Sequence, residues 1–310
     1  MKYQFLGKSK LNVSAVGVGC MRMAGMDSDS CEKFIAKAFE LGINLFDHAD
    51  IYGGGKCEEV FAEGLKKLID AKFLKRQDIV LQSKCGIVPG KMYDFSESHI
   101  LQSVDGILSR LKTDYLDVLV LHRPDTLFEG EELALVFEKL QKSVKVLHFG
   151  VSNCNPLQIQ LLQKYIKQDL IVNQMQFGLA HAKMISQGFE VNMNSEGSLC
   201  RDGSVLEFCR LNDITLQAWS PFQSNNGTGS FIDNDTYGNL NGVLWELCQK
   251  YGVSKTTIAS AWILRHPAKI QLIAGTMNSN RLEEICKATD VNLTREEWYR
   301  LYLSAGNILP

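Results

Sequence analysis

The sequence predicts an α/β protein, a (β/α)8 TIM barrel with an N-terminal β-hairpin and extra C-terminal helices. Three observations lead there. Short apolar runs alternate with longer amphipathic stretches through eight units, which argues for a parallel sheet with helices outside it. No Pro-, Gly- or Ser-rich linker divides the 310 residues, so 1–310 reads as a single domain. Polar residues recur where successive apolar runs end, the place where parallel α/β folds collect their chemistry. A doubly wound open sheet is the alternative. Its glycine fingerprint is incomplete, because Gly17-Val18-Gly19-Cys20-Met21-Arg22 lacks a third glycine at the required offset.

The elements follow in order. Residues 3–6 and 11–13 flank Gly7-Lys8-Ser9-Lys10, a turn-rich link that predicts a hairpin. Strands are expected at 16–19, 43–46, 79–83, 115–121, 146–151, 170–175, 214–219 and 270–274. Between them run helical stripes such as Phe34, Ile35, Ala38 and Leu41, or Ile100, Val104, Ile107, Leu108 and Leu111. Asp29 with Glu32 is expected to cap the first helix, and Ser96 the third. Asn155-Pro156 reads as N-cap and first helical residue of the fifth, and Thr294 with Glu297 as the start of the last. Residues 178–203 and 222–238 read as irregular loops, a length usually reserved for function.

Composition narrows the function classes. The chain is 45% hydrophobic, enough for a substantial core, and its 33 basic and 35 acidic residues balance to a net charge of −2. That balance offers no electrostatic reason to expect nucleic acid or an anionic membrane as partner. Nine scattered cysteines form no Cys-x-x-Cys pair, which argues against a disulfide framework or a zinc site and fits a reducing cytoplasm. The N-terminus has no apolar signal core, and no run approaches the ~20 apolar residues of a membrane span.

The centre of the chemistry is Phe46-Asp47-His48-Ala49-Asp50-Ile51-Tyr52-Gly53. Asp47, Lys84 and His122 end the second, third and fourth strands, and Tyr52 lies just beyond the second. In a barrel these four face one cavity. A nearby ammonium is expected to lower the tyrosine's pKa, with Asp47 holding Lys84 charged and His122 donating to a substrate oxygen or relaying a proton. Such a group suits protonation of an alkoxide forming from a carbonyl. No activated Ser or Cys supplies a nucleophile, so a cofactor hydride is the natural reagent. The competing idea is a metal bound by His48, Asp50 and His122. It lacks the His-x-His pair of metallohydrolase barrels, and no metal is expected.

Several motifs, spread in order over nearly the whole chain, resemble those of the aldo-keto reductases. The Asp47–Gly53 segment is similar to the family's Asp/Tyr signature, and Ser83-Lys84 to its lysine motif. Leu121-His122-Arg123-Pro124-Asp125 is similar to its histidine motif as found in a bacterial oxidoreductase subgroup. Phe149-Gly150-Val151-Ser152-Asn153, Asn173-Gln174-Met175-Gln176 and Trp219-Ser220-Pro221-Phe222 are similar to its later strand motifs. The resemblance implies a carbonyl reductase with Tyr52 as general acid/base and Asp47, Lys84 and His122 completing a tetrad. It implies that Ser152, Asn153 and Gln174 hold a nicotinamide carboxamide, that Trp219 stacks on the ring, and that Ser220, Pro221 and Phe222 begin a loop over the pyrophosphate. It also assigns Gly19, Met21, Gly275, Thr276, Ser279 and Arg281 to the cofactor. Arg281 near a helix N-terminus suits a 2′-phosphate, which places NADPH ahead of NADH, although Asn278 stands where many members carry a basic residue. A small carbonyl compound is the implied substrate. A redox-sensing subunit of the potassium-channel β type is the alternative. Val144 departs from the family pattern, which usually has glycine there.

Overall fold

In the computed structural model, which describes residues 1–191, 193, 198–199, 201–225 and 227–308, eight parallel strands close into a barrel. They are β1 (Val16–Gly19), β2 (Leu45–Asp47), β3 (Val80–Cys85), β4 (Leu116–Leu121), β5 (Val146–Ser152), β6 (Leu170–Gln176), β7 (Thr215–Trp219) and β8 (Gln271–Ala274). Strands adjacent in sequence are adjacent in the wall, and β8 closes on β1 with Leu272 opposite Val16 and Ala274 opposite Val18. This is the (β/α)8 architecture that the alternation predicts.

Side chains alternate in and out along each strand. The inward rows change character from bottom to top. On β3 the row reads Val80, Gln82, Lys84; on β7 it reads Thr215, Gln217, Trp219; on β2 it reads Leu45, Asp47. Apolar groups therefore fill the amino-terminal end, amides the middle and charged or aromatic groups the carboxyl end. The N-terminal hairpin, Tyr3–Phe5 with Asn12–Ser14, plugs the bottom. Its Leu6 and Val13 join Leu45, Val80, Val118 and Ile171 in one buried cluster. Gly7 sits at φ +54°, and a Cβ there would lie 2.4 Å from the Ile171 carbonyl oxygen, so only glycine lets the hairpin approach this closely. The larger apolar core lies between the wall and the helices.

Local sequence explains most boundaries. Ser96 accepts from the His99 amide, as expected, at the start of a helix spanning Glu97–Leu111. Asn155 and Gln158 form a reciprocal box around Pro156, and Thr294 and Glu297 form another. The first helix (Ser28–Glu40) corrects one expectation: Asp27, not Asp29, is its cap, accepting from the Ser30 amide at 2.7 Å. Asp29 instead reaches across to Lys67 on the next helix. The second strand begins at Leu45 rather than residue 43. A short hairpin, Ile87–Val88 with Met92–Tyr93, was not foreseen, and the stretch 178–203 contains a helix at Lys183–Phe189. Cys200 and residues 192 and 194–197 of that stretch lie outside the described residues, as does 226 in the next loop.

Val144 closes the helix Gly130–Lys142 in a position that glycine normally takes. Its amide donates to the Gln141 carbonyl and that of Lys145 to the Leu140 carbonyl, the paired bonds of a Schellman turn. That turn puts Val144 at φ +59°, a left-handed conformation costly for a β-branched residue. The side chain is 58% exposed, so little packing compensates. Val144→Gly is expected to stabilise the fold by about 1 kcal/mol, read as a higher midpoint in urea at unchanged slope.

Candidate active site

The carboxyl end of the barrel brings Asp47, Tyr52, Lys84 and His122 together. Asp47 ends β2 and Lys84 lies near the end of β3, and the strands pair in register. Lys84 Nζ donates to both Asp47 carboxylate oxygens, at 2.7 and 2.8 Å, and to the His48 carbonyl oxygen at 2.6 Å. The lysine is completely buried and the aspartate nearly so. Burial opposes the charged lysine. Asp47 and Tyr52 together more than offset it, and its pKa is raised.

Tyr52 opens a tight turn, Tyr52–Gly55, whose three glycines are all left-handed. Gly55 has φ +93°, and a Cβ there would meet Arg110 Cδ at 2.7 Å. The turn swings the phenol back over Lys84, whose Nζ lies 5.0 Å from the ring centroid. From the sequence, Lys84 is expected to lower the tyrosine's pKa. The ammonium does pull in that direction, but burial outweighs it and the pKa is raised. The phenol is therefore protonated at neutral pH, the form that can donate. His122 follows β4 and meets Tyr52 edge to face, ring centroids 5.9 Å apart. Burial, with help from Lys84 and Arg123, lowers its pKa to about 3, so the ring is neutral at pH 7, with Nδ1 buried and without a hydrogen bond.

A second group gathers beside the tetrad. Ser152 and Gln174 lie opposite each other on β5 and β6. The Ser152 hydroxyl donates to the Gln174 carbonyl at 3.0 Å and accepts from Asn153 Nδ2 at 2.7 Å. Asn153 is left-handed at φ +56°, which suits asparagine and turns its side chain toward the barrel mouth. Trp219 ends β7 with its indole nitrogen buried and unpartnered. Asn153 and Trp219 line a cavity of about 500 Å3 together with Arg123, Met175 and Gln176. Ser220 is exposed, Pro221 buried and Phe222 half-buried, and Phe222 accepts from the Phe231 amide, which folds the following loop back on itself.

The third group lies across β1 and β8. Gly19 stands opposite Asp47, and Met21 is exposed beyond it. Arg22 donates to the Gly275 carbonyl at 3.0 Å, which ties the two strand ends. Thr276 is buried and accepts from the Asn278 amide. Asn278 caps the helix Ser279–Lys287 by accepting from the Arg281 amide at 3.0 Å. The Arg281 side chain is exposed at the first turn of that helix.

Three further glutamines, Gln82, Gln217 and Gln271, lie beneath the tetrad in a network that no sequence motif marks. Gln82 Nε2 donates to Asp47 at 2.6 Å and to Gln217 Oε1 at 2.8 Å, and Gln217 returns a bond to Gln82 at 3.0 Å. Gln217 also donates to Gln271, which reaches the Ser14 carbonyl of the hairpin at 2.7 Å, while Gln174 donates to Gln217. The available signal was one polar residue in each apolar run, with period two placing it on the inward row.

Behind the site, Glu58 is fully buried and bonded to Ser83 and Arg110 at 2.8 and 2.7 Å. Cys85 and Cys154 are buried, and burial pushes the Cys154 thiol up to about 12 and raises Cys85 as well, so neither holds a ready thiolate. Among the described residues no group of three His, Cys, Asp or Glu side chains is arranged to hold a metal ion, and no helix is long and apolar enough to cross a membrane.

A family model described as "Aldo/keto reductase family" matches residues 15–302. The chain belongs to the aldo/keto reductase family. It is 32% identical over 309 residues to a 6-dehydroglucose reductase of Agrobacterium fabrum, covering 96% of this chain and 95% of that protein. It is also 32% identical over 288 residues to the oxidoreductase YdhF of Escherichia coli, covering 90% and 89%. The crystal structure of a thermostable aldo-keto reductase, Tm1743, in complex with the inhibitor epalrestat superimposes with a TM-score of 0.76 at 24% identity, covering 98% of this chain and all of that one. Aldo/keto reductases are oxidoreductases that generally use NAD(P)H. The residues of this aldo/keto reductase suit such a group: an unpartnered indole N–H and a turned asparagine side by side on one cavity, and a capped helix end carrying an exposed arginine.

His48 supplies a pH test of the site's foundation. It is fully buried against Phe61, ring centroids 4.6 Å apart, with neither ring nitrogen hydrogen-bonded. Burial, assisted by Lys84, lowers its pKa to about 3. The unfolded chain titrates near ~6.5, so between these values it binds a proton that the folded protein does not. The stability this confers is complete above about pH 6.5 and is lost as pH falls toward 3. Between pH 7 and pH 5 this one group accounts for about 2 kcal/mol. His48→Phe is expected to shrink the stability difference between those two pH values by that amount in urea unfolding; an unchanged difference would show that His48 is not held neutral.

Proposed function

We propose that this protein is an NADPH-dependent carbonyl reductase, reducing aldehydes or ketones to alcohols, with Tyr52 as the proton donor. One observation carries the reading: a buried ion pair, Lys84 on Asp47 at 2.7 Å, lies directly beneath a protonated tyrosine that faces a neutral histidine. When bound, a reduced nicotinamide supplies the two electrons and one hydrogen that carbonyl reduction requires. The protein's own residues supply the rest. Tyr52 Oη donates its proton to the substrate oxygen as negative charge builds there, and the Lys84 ammonium beside it stabilises the phenolate left behind. Asp47 keeps Lys84 charged and fixed. Neutral His122 orients the carbonyl oxygen by donating a hydrogen bond without competing for the proton. The same groups run the reaction in reverse.

Ser152, Asn153 and Gln174 are assigned to the nicotinamide carboxamide, and Trp219 to its ring. Gly19, Met21, Ser220, Pro221, Phe222, Gly275 and Thr276 line the remaining path to Ser279 and Arg281 at the helix end. The exposed Arg281 fork supports a preference for NADPH over NADH, since it offers donors to a 2′-phosphate at a helix N-terminus. The name of the Agrobacterium relative, 6-dehydroglucose reductase, supports the direction of reaction. A cytoplasmic location and a single domain spanning 1–310 complete the reading.

Tyr52→Phe is expected to lower kcat for aldehyde reduction by roughly a hundredfold or more while leaving NADPH affinity nearly unchanged, measured by fluorescence titration. Full turnover in the variant would remove Tyr52 from the mechanism. Arg281→Ala is expected to weaken NADPH about tenfold and NADH much less. Equal effects on both would show that Arg281 does not read the 2′-phosphate. Tight NADPH binding without turnover of any carbonyl compound would instead support a redox-sensing subunit of the potassium-channel β type.

A further inference from the structure

Among the described residues, Arg123 stands in the cavity without a hydrogen-bond or ion-pair partner. It follows His122 beyond β4, and its charge acts on His122 on one side and on Cys154 beyond β5 on the other. Its guanidinium therefore sits at the junction of the tetrad and the Asn153 turn. Arginine this close to a buried site is normally bonded to a carboxylate or to carbonyl oxygens. Here the half-buried side chain forms no hydrogen bond or ion pair with any described residue, although it lines the same wall as Asn153 and Trp219.

The surroundings do not neutralise it. Lys183 on the cavity rim is likewise unpaired among the described residues, and burial keeps His181 beside it below its ordinary pKa and hence uncharged at pH 7. The carboxylates on the cavity wall are Glu190 and Asp202, and Asp202 is engaged by the Gln187 side chain and the Ser204 amide. Glu190 and Arg201, on the same wall, each have a partner of their own. A free fork of donors thus faces a chamber of about 500 Å3 at the carboxyl end of the barrel, the size of a small-molecule site.

We infer that this cavity selects carbonyl substrates bearing an anionic oxygen group, carboxylate or phosphate, and that Arg123 is the residue that binds it. The inference rests on the carbonyl-reductase reading of the same site and adds the substrate class to it. A planar guanidinium matches two oxygens of either group, and covering it with a substrate that offers no such oxygens leaves its donors unpaired, which makes an uncharged substrate the poorer occupant. Positioning by this bond also explains why the cation stands beside His122: the charged tail and the carbonyl oxygen are held by adjacent residues.

The test uses matched pairs in the full-length protein with NADPH: para-formylbenzoate against its methyl ester, and glyceraldehyde phosphate against glyceraldehyde. The charged member of at least one pair is expected to show a kcat/KM at least about tenfold higher, and the pair that does so identifies the anion. Arg123→Met should abolish the preference, costing the charged substrate about tenfold more than the neutral one, through KM more than kcat; Arg123→Lys should restore part of it. Binding without turnover is followed in parallel by quenching of the protein's tryptophan fluorescence with the same compounds. Turnover with equal kcat/KM within both pairs would overturn the inference and leave the reductase reading intact. No turnover, but charge-selective quenching lost in Arg123→Met, would uphold the anion site and overturn the reductase reading. No selectivity in either readout would overturn the inference.

Discussion

The ion pair between Lys84 and Asp47 is the constraint to which the rest of the molecule answers. Removing two charges from water costs several kcal/mol each, and only close geometry with further hydrogen bonds repays it. Here the ammonium bonds both Asp47 oxygens and the His48 carbonyl and interacts with the Tyr52 hydroxyl above it, and the carboxylate takes a further donor from Gln82. Loss of either partner would strand a buried charge. The pair therefore fixes the ends of two neighbouring strands relative to one another and sets a permanent positive charge beneath the tyrosine.

The barrel supports that pair from below. Because side chains alternate on a strand, the inward row of β3 passes from Val80 through Gln82 to Lys84 along the axis, and Gln217 on β7 lies level with Gln82. The glutamine chain Gln82, Gln217, Gln271 links Asp47 to the hairpin that seals the amino-terminal end. At the other end the cavity wall is anchored by a stack in which Trp262 and Trp298 lie 4.8 Å apart and each donates its indole N–H to the other's backbone carbonyl. Tyr302 continues the stack and bonds to Ser186 on the cavity helix at 2.7 Å.

Much of this was legible in the sequence where the cause is local. The alternation of apolar runs and stripes gave all eight barrel strands, and Ser96, Asn155 and Thr294 marked helix starts because a cap needs only residues within one turn. Where two local solutions compete, the neighbourhood decides. Asp27 caps the first helix because Asp29 is drawn to Lys67 on the next one. The helix at Lys183–Phe189 is short, and its sequence, Lys-Met-Ile-Ser-Gln-Gly-Phe, offers little periodicity; it is held by burial of Met184 and Ile185. The glutamines went unread because a lone polar residue in an apolar run has no meaning until its partners on distant strands are known.

By itself, then, the sequence determined the order of elements and the placement of Asp47, Lys84 and His122 at strand ends, since period and punctuation are properties of neighbouring residues. Only the tertiary structure decided the electrostatics. The protonation of Tyr52 depends on a contest between burial and an ammonium contributed by another strand, and burial wins. The neutrality of His122 and the unpaired state of Arg123 are likewise set by which groups the closed wall brings near and which it leaves out. Desolvation and Coulomb interaction act through space, between residues far apart along the chain, and they acquire a sign and a size only when the barrel has closed.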